Sequence, residues 1–140
     1  MASNDYRAIR SIAVNAEDVV TALEATRRGE SAVFRVTPPF SGRMRARIHV
    51  EHAGEYDTTP EPVHIAPARF VPDAPDYPTP DATEGRLRAD SDVEYTVEHH
   101  HEHHTAAVAA WRETVTDAIT DSVTLDGEFG PHRVAVSALG

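Results

Sequence analysis

The chain contains no cysteine and no lysine. The first absence excludes disulfides, thiol catalysis and thiolate metal sites. The second excludes Schiff-base chemistry and the lysine of a phosphate-binding loop. Aromatic residues make up only 6% of the chain, and its 7 glycines are scattered at turns, so no glycine-rich phosphate or dinucleotide cradle is spelled out. No serine sits in a nucleophile elbow. The longest apolar run, Ala106 to Trp111, is far too short to span a bilayer. The first twelve residues are polar and mixed, unlike a signal peptide, which makes the cytoplasm the expected compartment.

What is present is acid and arginine. The 140 residues suffice for one ordinary domain and carry 23 acids against 13 cations, every one an arginine, for a net charge of −10. Such a surface suits a protein soluble in concentrated salt, where carboxylates hold water and keep chains apart. The charge is uneven. Residues 1–50 hold eight arginines against five acids, whereas residues 51–140 hold five against eighteen. A positive third inside a strongly acidic chain is the most informative global feature.

Patterning predicts the elements. Ala8 to Val14 reads as a strand. Asn15 is the N-cap of a helix whose face is Ala16, Val19, Val20, Leu23 and Thr26, and Arg27, Arg28 and Gly29 stop it. Ala32 to Thr37 and Arg43 to Glu51 alternate as strands on either side of a Pro38–Gly42 loop. In the second of these, Arg43, Arg45, Arg47 and His49 fall on one face and Met44, Ala46, Ile48 and Val50 on the other. Residues 53–82 are a proline-rich zone with one short strand at Val63–Ile65 and a helical turn opened by Pro67; Pro72 to Thr83 reads as an exposed acidic loop. A helical stripe then runs from Val93 to Ile119, roughly 40 Å at 1.5 Å per residue. A hairpin of Val123–Leu125 and His132–Ser137, turning at Asp126-Gly127, closes the chain. The expected fold is a single α+β domain: a mostly antiparallel sheet of about five strands, with one short and one long helix packed on one face. The length of the stripe suggests a homodimer through the long helix.

Two clusters carry chemistry. Arg43, Arg45 and Arg47, with Arg35 on the neighbouring strand and Phe40 at the loop between, form the first. Guanidinium forks match carboxylate and phosphate two bonds at a time, and like charges gathered on one face call for a counter-anion. The partner classes are an acidic protein or nucleic-acid phosphate. The structural alternative is the chain's own carboxylates, Glu51, Asp57 or Glu61 among them. In molar salt the Debye length is about 3 Å, so counterion release would drive little binding and only bidentate contacts and stacking would survive. The second cluster is Glu98-His99-His100-His101-Glu102-His103-His104. Here His100 and His104 are an i, i+4 pair able to share zinc or another divalent metal, with a further ligand drawn from His49, His52, His64 or His132. The zinc-protease pattern misses by one residue, since Thr105 stands where its second histidine belongs. The structural alternative places His100 and His104 on the apolar stripe as hydrogen-bonded packing residues.

The stretch Ala32 to Val50, above all Thr37-Pro38-Pro39-Phe40-Ser41-Gly42-Arg43-Met44-Arg45-Ala46-Arg47, together with Trp111-Arg112, resembles a family of small hypothetical proteins from haloarchaea. The resemblance covers most of the chain. It implies a salt-adapted cytoplasmic protein and carries over no catalytic or binding residue. The sequence-based expectation is therefore a non-enzymatic module that binds an anionic partner through Arg35, Arg43, Arg45, Arg47 and Phe40, with no cofactor; the alternative is a metal-binding protein using His100 and His104.

Overall fold

One side chain separates the first strand from the first helix. Asn15 ends β1 (Ser11–Asn15) and caps α1 (Ala16–Arg27), its Oδ1 accepting from the Glu17 and Asp18 amides at 2.9 and 3.4 Å. Glu17 and Asp18 lie in the positive first turn and Arg27 in the last, and Gly29 (φ 88°) turns the chain away in the left-handed conformation. The computed structural model describes residues 3–50 and 61–140. The chain divides into two compact units, Met1–Pro72 with Ile119–Gly140, and Asp73–Ala118.

Among the described residues the first unit holds seven strands in two sheets. Besides β1 these are β2 (Ala32–Val36), β3 (Arg43–Arg45), β4 (Arg47–Val50), β5 (Val63–Ile65), β6 (Ser122–Leu125) and β7 (His132–Leu139). The four-stranded sheet has the order β3-β1-β7-β6 and the three-stranded sheet β4-β2-β5. β1 pairs in parallel with both β3 and β7, while β6–β7, β2–β4 and β2–β5 are antiparallel. This corrects the expectation of one mostly antiparallel sheet of about five strands. Alternation along a strand reveals which face is buried but not which strand lies alongside, and the parallel β1–β3 pair needs a crossover, which α1 and β2 supply.

α1 packs against β1, β2, β4 and a 3-10 turn at Pro67–Phe70. The buried residues of this unit include Ile9, Ile12, Val14, Val19, Phe34, Val36, Phe40, Phe70 and Val134. Phe34 and Phe70 meet edge to face with centroids 5.0 Å apart. The closing hairpin is tied to the chain start by Tyr6, whose hydroxyl donates to Gly130 O at 2.6 Å and accepts from Phe129 N at 2.9 Å.

The second unit is a helix pair, α2 (Pro80–Ala89) and α3 (Val97–Asp117). The exposed-loop reading of Pro72 to Thr83 holds for Pro72 to Asp76, which are exposed and irregular, and α2 corrects its end. Thr79 caps the helix, its Oγ1 accepting from Ala82 N at 3.1 Å, and Pro80 takes the first helical position, where a missing N–H costs nothing. Thr96 caps α3 in the same way, so the long helix starts at Val97 rather than Val93. Among the described residues three α-helices thus replace the expected two. Trp111 is buried, donates from Nε1 to Pro75 O at 2.9 Å and stands edge-on to Tyr77 at 4.7 Å. Of the expected 53–82 loop, residues 53–60 lie outside the described residues, and 61–82 contain β5, the 3-10 turn and the start of α2.

Candidate anion-binding surface

The segment from Arg43 to Val50 is extended throughout but serves two sheets. Ser11, Ile12 and Ala13 of β1 stand opposite Arg43, Met44 and Arg45, and Ala46 N donates to Ala13 O at 3.0 Å. One residue later Arg47 pairs with Arg35 of β2, followed by Ile48 with Phe34 and His49 with Val33. Ala46, 1% exposed, is the pivot at which the strand changes sheets, as strands do at the corners of packed sheets. Through the pivot the alternation is unbroken: Arg43, Arg45 and Arg47 are exposed, Met44 is half-buried and Ala46 buried. The predicted row therefore exists along the chain but is divided, with Arg43 and Arg45 on the four-stranded sheet and Arg47 and Arg35 on the three-stranded one.

Partner geometry sharpens this. Arg35 and Arg47 are directly opposite in the β2–β4 ladder, a placement of like charges that destabilises a sheet. On its other side Arg35 faces His64 of β5, and its Nε donates to His64 Nε2 at 3.2 Å. That bond requires the imidazole to be the acceptor, so it orients the guanidinium without neutralising it.

Arginines outside the strands are held differently. Arg7 donates from Nε and Nη2 to Asp5, with Nη2 2.8 Å from Oδ2, and this hydrogen bonding holds the Asp5 carboxyl below its ordinary value. Arg28 pairs with Glu30 at 3.1 Å and Arg88 with Glu84 at 3.7 Å. Among the described residues no carboxylate stands within ion-pair distance of Arg35, Arg43, Arg45 or Arg47. None of the seven strands among the described residues contains an aspartate or glutamate, although the chain has 23 acids; they carry Arg35, Arg43, Arg45, Arg47 and Arg133. Of the carboxylates considered as internal counter-ions, Glu61 is exposed, and Glu51 and Asp57 lie outside the described residues.

Phe40 leaves the candidate set. It is 1% exposed and forms an antiparallel bridge with Ser3, whose amide donates to Phe40 O at 2.7 Å. A proline-rich loop looks exposed from sequence alone, and only the return of the chain's first residues across it shows the ring to be core.

The histidine cluster sits on α3, where α2 engages it. Thr83 Oγ1 is 3.0 Å from both His100 Nε2 and His104 Nδ1, and His100 Nε2 is also 3.0 Å from Pro80 O. Since a carbonyl only accepts, His100 carries its proton on Nε2. Of the other histidines considered as ligands, His64 accepts from Arg35, His132 Nε2 donates to Ile9 O at 2.6 Å, His49 lies on β4 and His52 is outside the described residues. Among the described residues no group of three His, Asp or Glu side chains is arranged to hold a metal ion. No described helix is long and apolar enough to cross a membrane.

Two arginines that sequence reasoning passed over, Arg69 and Arg133, flank the far edge of the four-stranded sheet. Arg133 alternates outward on β7 and could have been found from that pattern; Arg69 could not, because the 3-10 turn that carries it has no facial periodicity.

No curated protein and no solved structure matches the chain. One family model does, over residues 1–140, and by that match the chain belongs to the family described as Domain of unknown function (DUF8009).

Proposed function

We propose that this protein is a non-enzymatic interaction module that holds an acidic polypeptide partner through Arg35, Arg43, Arg45 and Arg47, working in a salt-rich cytoplasm. The observation that carries the reading is the Arg35–Arg47 pair: two like charges directly opposite in a ladder, with no described carboxylate beside them. A local arrangement that costs stability is the kind of feature retained where a ligand compensates it. The acid-free strands point the same way. An acidic polypeptide is favoured over nucleic acid on one ground. Phe40 is buried, and among the described residues the arginine strands expose no Phe, Tyr or Trp on which bases could stack, only the His64 imidazole that Arg35 engages. The net charge of −10 repels an acidic peptide and a nucleic acid alike at distance, leaving short-range bidentate contacts as the source of affinity for either.

The test is binding of a fluorescent oligo-glutamate peptide, alongside a single-stranded oligonucleotide of equal charge, in low and molar salt. The expected result is preference for the peptide. Replacing Arg43, Arg45 and Arg47 by Gln together should lower its affinity at least tenfold, with the melting temperature within about 2 °C or raised. Unaltered binding by the triple variant, or its unfolding, overturns the proposal; preference for the oligonucleotide would reassign the partner class. Self-association is a separate matter. Val97 on α3 is 80% exposed and continues the helix's apolar stripe, which supports pairing of two copies there. Light scattering of wild type and Val97→Glu in high salt tests it, with a monomeric wild type the contrary outcome.

A further inference from the structure

Arg69 and Arg133 are held in place without being neutralised. Arg69 belongs to the Pro67–Phe70 turn, and its Nη2 donates to the main-chain carbonyl of Thr124 on β6. Arg133 on β7 donates from Nε and Nη2 to the Ser122 hydroxyl at 3.1 and 2.9 Å. Both acceptors are neutral, and among the described residues neither guanidinium has an ion-pair partner. A guanidinium has five N–H donors. These hydrogen bonds occupy two on Arg133 and one on Arg69, and the rest remain for another acceptor. The two side chains line one hollow with Ser122 and Thr124, and no acid contributes to it. Two oriented cations, spare donors and a threonine hydroxyl are what a single oxyanion group requires.

We propose that this hollow is an anion site for one carboxylate or phosphate group. It lies on the same sheet face as Arg43. Cross-strand register places Arg43, Ser11, Ala135 and Ser122 in one row over the four strands, with only small side chains between the two ends. Three strand spacings separate those ends, about 14 Å. An extended chain rising about 3.4 Å per residue covers that distance in roughly four residues. Resting on the reading given under Proposed function, the hollow is then the far anchor for a partner segment with acidic side chains at i and i+4, laid across the strands.

Amide-resolved NMR titration at constant ionic strength tests both levels. Inorganic phosphate and a Glu-Ser-Gly-Ser-Glu peptide, each added separately, should shift the Ser122, Thr124 and Arg133 signals of the wild type, and those shifts should vanish in Arg69→Gln/Arg133→Gln. The peptide should bind at least fivefold tighter than one with two adjacent glutamates. That advantage should disappear in Arg69→Gln/Arg133→Gln and equally in Arg43→Gln/Arg45→Gln. If neither probe moves these signals in the folded wild type, the site is refuted and the two arginines serve only to fix the sheet edge. Local shifts with phosphate but no spacing preference, and no response at Arg43 or Arg45, would uphold the hollow and overturn the arginine-strand reading.

Discussion

The Thr83 hydroxyl lies 3.0 Å from His100 Nε2, at the contact between α2 and α3. Thr83 is the only polar residue among those fully buried in the described chain, and its hydroxyl is also within reach of His104 Nδ1, Thr79 O and Pro80 O. With Nε2–H of His100 as a donor, the hydroxyl can in turn donate to His104 Nδ1, so one buried oxygen joins two imidazoles of α3 to the first turn of α2. Histidines that suggested metal by their spacing are here part of a helix–helix contact.

Thr83→Val keeps the shape and removes that oxygen. His104 Nδ1 then lacks its partner, and the change should cost about 1–2 kcal/mol. The measurement is chemical denaturation followed by fluorescence of Trp111, the only tryptophan, which lies in the same unit. A variant as stable as wild type would remove the hydrogen-bonding role assigned to the cluster.

Phe40 yields an opposite pair of expectations to the arginines. At 1% exposure its truncation to Ala should cost about 3–5 kcal/mol, while Phe40→Leu should cost less than about 1.5 kcal/mol. Binding of the oligo-glutamate probe by Phe40→Leu should equal wild type. Loss of binding in a folded Phe40→Leu would return the ring to the recognition surface.

Local signals were legible where one side chain decides the outcome. Asn15 as cap, Gly29 as left-handed stop, Val63–Ile65 as strand and Pro67 as helix opener all stand in the structure as expected from sequence. The Thr79-Pro80 start of α2 uses the same capping chemistry but is hidden in the sequence, because the other six prolines between residues 53 and 82 suggest a loop. Partnering was not legible. Nothing in the period-two pattern of Arg43 to Val50 shows that Ala46 passes the chain from β1 to β2, because both sheets bury the same parity of residues. The arginine row followed from alternation alone, but its division between two sheets, and the Arg35–Arg47 opposition, follow only from register.

Tyr95 supplies a pH signature. Its hydroxyl donates to Glu84 at 2.9 Å, and this bond first, then burial and the carboxylate's charge, raises its pKa above the ordinary tyrosine value, against the opposing pull of Arg88 stacked 3.7 Å from the ring. A group whose folded pKa is raised contributes stability that is complete below the unfolded value and lost as pH climbs through the folded one. Tyrosinate absorbance should therefore include one late-ionising component, absent in Tyr95→Phe, and the stability of that variant should fall less steeply at alkaline pH. Superimposable titrations of the two proteins would contradict the Glu84 bond.

Reversing one charge separates recognition from folding. Arg47→Glu sets a carboxylate directly opposite Arg35, turning a repulsive cross-strand pair into an attractive one on a solvent-facing sheet surface. Opposite-charge pairs at such positions are worth roughly 0.2–1 kcal/mol, and removal of the like-charge pair adds to that in the same direction, so the variant should unfold at a higher denaturant concentration than wild type. The same carboxylate occupies the Arg35 fork and repels an acidic ligand, so affinity for oligo-glutamate should fall by more than the loss seen with Arg47→Gln. A protein that becomes more stable as it stops binding would identify the arginine opposition as a feature kept for its ligand. If Arg47→Glu is less stable than wild type, the two guanidiniums are held apart by contacts of their own and the strain on which the functional reading rests is absent.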